Sequence, residues 1–241
     1  MRHFRPTLLV LVCWLLAGLP TYAHKASARK MVCPVCSTEF KSVVTMSSTL
    51  MGTLRDFEKT GAVGRMYEEG IASCPTCHYS WTPGEFGNPV PDDLKQWILE
   101  TLKSRYPAGE IPKAEAYRVY AEIAARKHFD DFKLAGIFRL ASYVSRHAGE
   151  SDQDRRALQG KVVQHLVAAL AKHEVPQEQV AVTYYIIGEM DRRQAKFPEA
   201  VRWFEKAAKE SGPGKAEFPE WNDWVKEQRA MAEKKDANNT I

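Results

Sequence analysis

Residues 32–40 read VCPVCSTEF and residues 73–81 read SCPTCHYSW. Each stretch carries Cys-Pro-x-Cys, so Cys33/Cys36 and Cys74/Cys77 form two matched pairs. A Cys-x-x-Cys turn brings both sulfurs to one side of a tight loop and points backbone N–H groups at them. Pro34 and Pro75 preset the turn dihedral just after the first sulfur of each pair. Two such knuckles facing each other supply four thiolates in a tetrahedron, the donor set that structural Zn²⁺ takes. One pair alone is a weak signal; two with proline at the same offset are a strong one. The intervening residues 37–73 are more than a compact ribbon holds, and inserted hairpins fill such a gap.

The chain's opening supplies rivals to zinc. MRHFRPTLLVLVCWLLAGLPTYAHK places Arg2 and Arg5 before an apolar run from Leu8 to Leu19, then Pro20 and Ala23. That is the layout of a secretory signal peptide over residues 1–23, cleaved after Ala23. The run falls short of the roughly 20 residues a membrane-spanning helix needs. Periplasmic or secreted location follows, with no integral span in the mature chain. Loss of the leader removes Cys13 and lowers the formal charge of +4 to about +2. Cations and anions are mixed along what remains, a pattern that offers no strong field to nucleic acid. An oxidising compartment exposes the thiols before a metal can fold them, so Cys33–Cys36 or Cys74–Cys77 disulfides compete with zinc. Cys74-Pro-Thr-Cys77-His78 also matches the attachment pattern of c-type haem. A thioredoxin-like pair should open a helix; STEFKSVV after Cys36 reads as strand, and HYSWTPGEF meets Pro-Gly within a few residues.

The rest of the chain divides by composition. Residues 24–31 (HKASARKM) read as a solvated linker. Residues 32–90 hold brief strand-like runs, including 40–44 and 69–73, and predict a small β-rich unit. The Pro- and Gly-dense stretch PGEFGNPVP at 83–91 marks a boundary. From residue 91 to 235 the apolar spacing is helical, with segments at 92–102, 113–128, 130–147, 152–173, 177–193, 197–210 and 217–235, and a frayed tail at 236–241. Helices of this length joined by short turns predict stacked antiparallel pairs. In one of them, Gly188, Phe197, Ala200, Phe204 and Ala207 fall at the offsets of a tetratricopeptide repeat. Small residues there let two helices cross closely, and the phenylalanines fill the gap to the next pair. Asp191 and Ala195 depart from the repeat, which has an aromatic and often Gly at those places.

Together these segments resemble a bacterial family of unknown function. Its members join CPxCG and CPxCGY knuckles to a helical tail ending in a GEMxRR…F-x-EAxxWF-like repeat. The matching residues here are CPVC (33–36), LRDFEKTGAVG (54–64), CPTCHY (74–79), KLAGIFRLA (133–141) and IIGEMDRR…FPEAVRWFEKA (186–207). The resemblance implies a zinc ribbon joined to tetratricopeptide-like helices and implies no activity. Ser37 and His78 replace the usual knuckle glycines, whose role is to permit positive φ.

Other residues have plain structural readings. Tyr79, Trp81 and Phe86 are expected to pack the ribbon onto the first helix through Trp97. Trp203, Trp221 and Trp224 are expected between helices. Asp92-Asp93 and Asp130-Asp131 sit where helices begin and read as N-terminal charges. His165 and His173 are too far apart for a metal pair, and Glu68-Glu69 has no recognisable partner. An N-terminal His24 is a weak copper chelator without a second ligand. No catalytic motif is visible. The expectation is therefore an α+β protein: a small β-rich zinc ribbon clipped by Cys33, Cys36, Cys74 and Cys77 around structural Zn²⁺, followed by an all-α helix array that takes a protein or peptide partner, without catalysis. The alternative is a periplasmic thiol–disulfide or c-type haem carrier using Cys33/Cys36 or Cys74/Cys77/His78.

Overall fold

The computed structural model describes residues 23–63, 65–210 and 219–238; the expected signal peptide lies almost entirely outside them. Strand β1 (His24–Val32) runs antiparallel to β2 (Glu39–Thr53), which turns at 54–58 and pairs with β3 (Lys59–Ala62) in the order β1-β2-β3. Residues 24–31 are thus a strand, and the linker expectation is corrected. Each residue from His24 to Val32 has a partner on β2. Only Met31 is buried, however, so the strand shows the charge-rich composition of a linker. A short helix α1 (Met66–Glu69) then leads to β4 (Ala72–Ser73) and β5 (Ser80–Trp81), which pair with each other. The two knuckles occupy the turn between β1 and β2 and the turn between β4 and β5.

The helices follow the expected segments closely. The first, α2 (Asp92–Trp97), continues through a π-helical segment (Ile98–Leu102) into α3 (Lys103–Arg105). After it come α4 (Lys113–Arg126), α5 (Asp131–His147), α6 (Asp152–Ala171), α7 (Val180–Arg193), α8 (Phe197–Lys209) and α9 (Trp221–Glu233). Asp130 caps α5 by accepting from Lys133 N at 2.8 Å, and Ser151 caps α6 by accepting from Asp154 N at 3.1 Å. His128, His173, Ala195 and Lys235 stop α4, α6, α7 and α9 at φ of 58°, 57°, 62° and 57°. Ala195 is where the repeat often has Gly, and the backbone there has the left-handed form that glycine favours. Gly188 lies where the two helices approach closely: a Cβ on it would sit 3.0 Å from the Phe204 ring.

Two buried clusters organise the molecule. One joins Cys33, Cys74, Cys77, Ile71, Tyr79, Trp81 and Phe86 to Leu94, Ile98, Leu102, Tyr117 and Ile123. The core therefore runs without a break through the expected boundary near residue 90. Trp81 does most of the bridging, with its ring 4.5 Å from Tyr120 and 5.7 Å from Phe129. Trp97 is only partly buried and lies under the Arg126 guanidinium at 3.9 Å. The second cluster gathers α6 to α9 around Tyr185, Ile187, Met190, Phe204, Trp221 and Trp224. Among the described residues no helix is long and apolar enough to cross a membrane.

Candidate metal centre

The two knuckles have the same backbone. Ser37 N donates to Cys33 O and His78 N donates to Cys74 O, both at 2.9 Å. Cys33 N reaches Thr38 O and Cys74 N reaches Tyr79 O, again both at 2.9 Å. Closing each turn this way puts the residue after the second cysteine in the left-handed region, with φ of 60° at Ser37 and 59° at His78. These are the two positions where the family pattern has glycine, so the substitutions are accommodated with the turn intact. The His78 ring is fully buried and meets Tyr106 edge-on at 5.3 Å. Burial lowers the His78 pKa.

The four sulfurs converge. Cys33 Sγ lies 3.5 Å from Cys77 Sγ, and Cys36 Sγ lies 3.5 Å from Cys74 Sγ. All four lie within 4.8 Å of one another, and these four cysteines make no disulfide. A tetrahedral S₄ site with bonds of about 2.3 Å spaces its sulfurs roughly 3.8 Å apart, so the donor set fits a metal ion. Cys33, Cys74 and Cys77 are buried, and Cys36 is partly so. Two threonines flank the cluster: Thr38 Oγ1 is 3.2 Å from Cys36 Sγ and donates to Thr76 Oγ1 at 3.1 Å. Thr76 N points at Cys74 Sγ from 3.5 Å.

Packed so closely, the thiols cannot all ionise without a cation. Hydrogen bonding with Cys74 pushes the Cys33 thiol up to about 12. Hydrogen bonding with Cys33 raises Cys77 and lowers Cys74. The thiols thus share protons through hydrogen bonds between the two knuckles. A metal ion bound here would replace those protons and let the whole set act as thiolates.

A second polar cluster lies at the far end of β2, and sequence reading did not find it. The 54–58 turn inserts Asp56 and Glu58 between the ends of α5 and α7. Asp56 pairs with Arg146 and, at 3.1 Å, with Arg193; Glu58 pairs with Arg146 and His147. Arg193 continues to Glu189 at 2.6 Å, and Glu189 also holds Arg192 at 2.7 Å. Asp56, Glu189, Arg192 and Arg193 are fully or almost fully buried. Burial alone would raise the Asp56 carboxyl, but Arg193 and Arg146 hold it below the ordinary range. Tyr143 adds a hydrogen bond to Asp56 O at 2.5 Å. The signal lay in two quoted segments, LRDFEK and GEMDRR, whose charges meet only in three dimensions. Arg192 further donates to Asp236 O and Asn238 O, at 2.8 and 3.0 Å, so the described part of the expected frayed tail is tied down.

A family described as "Uncharacterized protein conserved in bacteria (DUF2225)" matches residues 26–232. The chain belongs to that family. No curated protein and no solved structure matches it. The match spans both knuckles, the buried charge cluster and all but the last residue of the helical array.

The remaining candidates take structural places. His165 Nδ1 pairs with Asp131 Oδ1 at 2.6 Å and stacks on Phe138; His173 ends α6. His24 and Glu69, read as isolated, meet at 3.0 Å, and Thr45 donates to the same carboxylate at 2.5 Å. Glu68 pairs with Arg65. Trp221 and Trp224 are buried, and Trp203 stacks on Tyr184.

Proposed function

We propose that this is an exported, non-enzymatic zinc protein in which a structural ion locks a β-rich unit against a helical scaffold for a protein or peptide partner. The observation that carries the zinc assignment is the convergence of four sulfurs from two identical turns. Soft thiolates in tetrahedral array suit Zn²⁺, and four of them leave no coordination position for a reacting water. That closed shell is the argument against hydrolysis. The haem alternative needs Cys74 and Cys77 free for thioether bonds and His78 free for iron. Here each of those sulfurs lies 3.5 Å from a sulfur of the other knuckle, and His78 packs on Tyr106. Support for a scaffold comes from a cavity of about 260 Å³ among α5, α6 and α7, lined by Phe132, Ala135, Arg139, Val162, Val182 and Ile186. Export rests on the leader pattern of residues 1–23.

The test is elemental analysis with thiol titration and a visible spectrum on protein purified from its native compartment. The expected result is one zinc per chain with four thiols that react only after chelation. Metal-free protein with two disulfides, or a haem Soret band, refutes the zinc assignment. Protein retained in the cytoplasm with residues 1–23 intact refutes export.

A further inference from the structure

Strand β2 is longer than its partners on one side. β1 pairs with it from Glu39 to Ser48, whereas β3 covers its other edge only from Thr49 to Thr53. Among the described residues the edge from Glu39 to Thr45 therefore has no strand beside it. Bulges bound this stretch and the next: the β1–β2 pairing skips Met46 and the β2–β3 pairing skips Met51, and both methionines turn outward.

The ladder fixes where the main chain of that edge points. Cys33 N donates to Thr38 O at 2.9 Å and Thr49 N donates to Ala23 O at 3.2 Å. Antiparallel pairs alternate between bonded and non-bonded. Counting inward from either end gives one answer. Phe40, Ser42 and Val44 turn their N–H and C=O toward β1; Glu39, Lys41 and Val43 turn theirs to the free edge.

A cavity of about 550 Å³ lies there, and Phe40, Lys41, Ser42 and Val43 all line it. Successive side chains of a strand point to opposite faces, so four in a row border one cavity only where it runs along the strand's edge. At about 3.4 Å per residue that edge is roughly 14 Å long. Its end is closed where Thr45 donates to Glu69 of α1 at 2.5 Å. Within the cleft Ser42 Oγ is buried and has no hydrogen-bond partner, and the whole residue is 6% exposed.

The charges lining the cleft balance, three cations against three acids, which gives a polyanion no advantage. Most have partners: Arg65 pairs with Glu68, Glu69 with His24, and Lys113 donates to Ile71 O at 3.2 Å. Lys41 makes no ion pair among the described residues. Its cross-strand neighbour is Lys30, a like charge in a non-bonded pair, where side chains stand closest. An acid on its other side would relieve that repulsion. The cleft is walled by α1 and by residues 110–113, so a single extended segment enters where the sheet of a second copy would collide.

We propose that the β2 edge at Phe40–Val43 takes an extended segment of a partner protein as an added antiparallel strand, with an acidic residue opposite Lys41 and apolar residues opposite Val43 and Phe40. Main-chain bonds supply the affinity of such docking, and alternate side chains the choice of segment. A small hydroxyl residue opposite Ser42 gives its Oγ a partner. This docking place is separate from the helical cavity and independent of which metal the cysteines hold.

The test is fluorescence polarisation of a labelled peptide, Thr-Val-Ser-Glu-Leu-Thr, titrated with the full chain. Saturable binding is expected. A peptide with Lys in place of Glu should bind about ten-fold more weakly, and Lys41→Glu should reverse the preference. N-methylation of the peptide's Val and Glu amides, which would face β2, should abolish binding, and N-methylation of its Ser and Leu amides should not. Val43→Pro removes an N–H aimed at the peptide and none aimed at β1; it should weaken binding about ten-fold. If that variant fails to fold by circular dichroism, the charge swap and the N-methylated peptides decide. No saturable binding, equal loss from both N-methylated sets, or an unchanged preference in Lys41→Glu overturns the proposal. So does a dimer of the chain that Val43→Pro dissociates, which would assign the edge to a second copy.

Discussion

The long hairpin strand β2 is fastened at both ends, and the two fastenings solve one problem differently. At its knuckle end, four sulfurs from turns 38 or more residues apart in sequence come within 4.8 Å. At its far end, Asp56 and Glu58 are pressed into the ends of two helices. In each place negative charge is taken out of water, which costs several kcal/mol per ion unless a cation is supplied. At the far end the cations are the chain's own Arg146 and Arg193. At the knuckle end the four sulfurs lie close enough together to hold a metal ion, which would supply the positive charge. One fastening is complete when the chain folds, and the other waits on the solution.

The comparison is broken most severely by Cys74→Ser. Loss of one sulfur should abolish metal binding and cost on the order of 5 kcal/mol or more, a part of what a structural zinc site supplies. Because Leu94, Ile98, Leu102 and Tyr117 share a core with the cysteines, α2 to α4 should loosen while α6 to α9 hold. Hydrogen exchange measured by helix checks this. Full protection retained in α2 to α4 would show that the knuckles are an independent unit.

Arg193→Met attacks the other fastening. It leaves Asp56 and Glu189 buried with less compensation, and the expected loss is about 3–5 kcal/mol in denaturant unfolding, with zinc content unchanged. A loss under about 1 kcal/mol would mean that water reaches the carboxylates. The equivalent change in both partners, Arg193→Met with Asp56→Asn, should recover part of the loss.

A smaller effect sharpens the contrast further. Asp191 is buried like Asp56, but its nearest cation, Lys196, stands 3.8 Å away and half exposed. Burial raises its carboxyl to about 6, against an ordinary value of 3.8. A raised pKa means that the folded state holds the proton more tightly. Asp191 therefore favours folding below about 3.8 and loses that contribution as the pH rises to about 6. Asp191→Asn should remove this slope, so that the variant gains on the parent between pH 4 and 6 and stays ahead above it. Unfolding midpoints across that range report it, and parallel curves would refute the raised value.

Much of this was legible in one dimension, where the signal is local. The helix bounds followed from apolar spacing and from residues such as Asp130 and Ser151 that cap them. The paired CPxC turns announced four convergent sulfurs, and the odd residues Ser37 and His78 pointed to positive φ. Other readings failed because their reasons are not local. His24 to Val32 looks like a linker since its partner strand hides almost none of its side chains. Glu69 looks isolated because His24 and Thr45 approach it from elsewhere in the chain.

The sequence by itself determined the turns, the helices and the identity of the converging sulfurs, because each depends on residues a few positions apart. Only the tertiary structure decided that knuckles and first helices share one core, and that Asp56 meets Arg193. It also decided that two bulges turn methionines outward. Burial, charge pairing and register belong to neighbours brought together by folding, and no spacing along the chain records them.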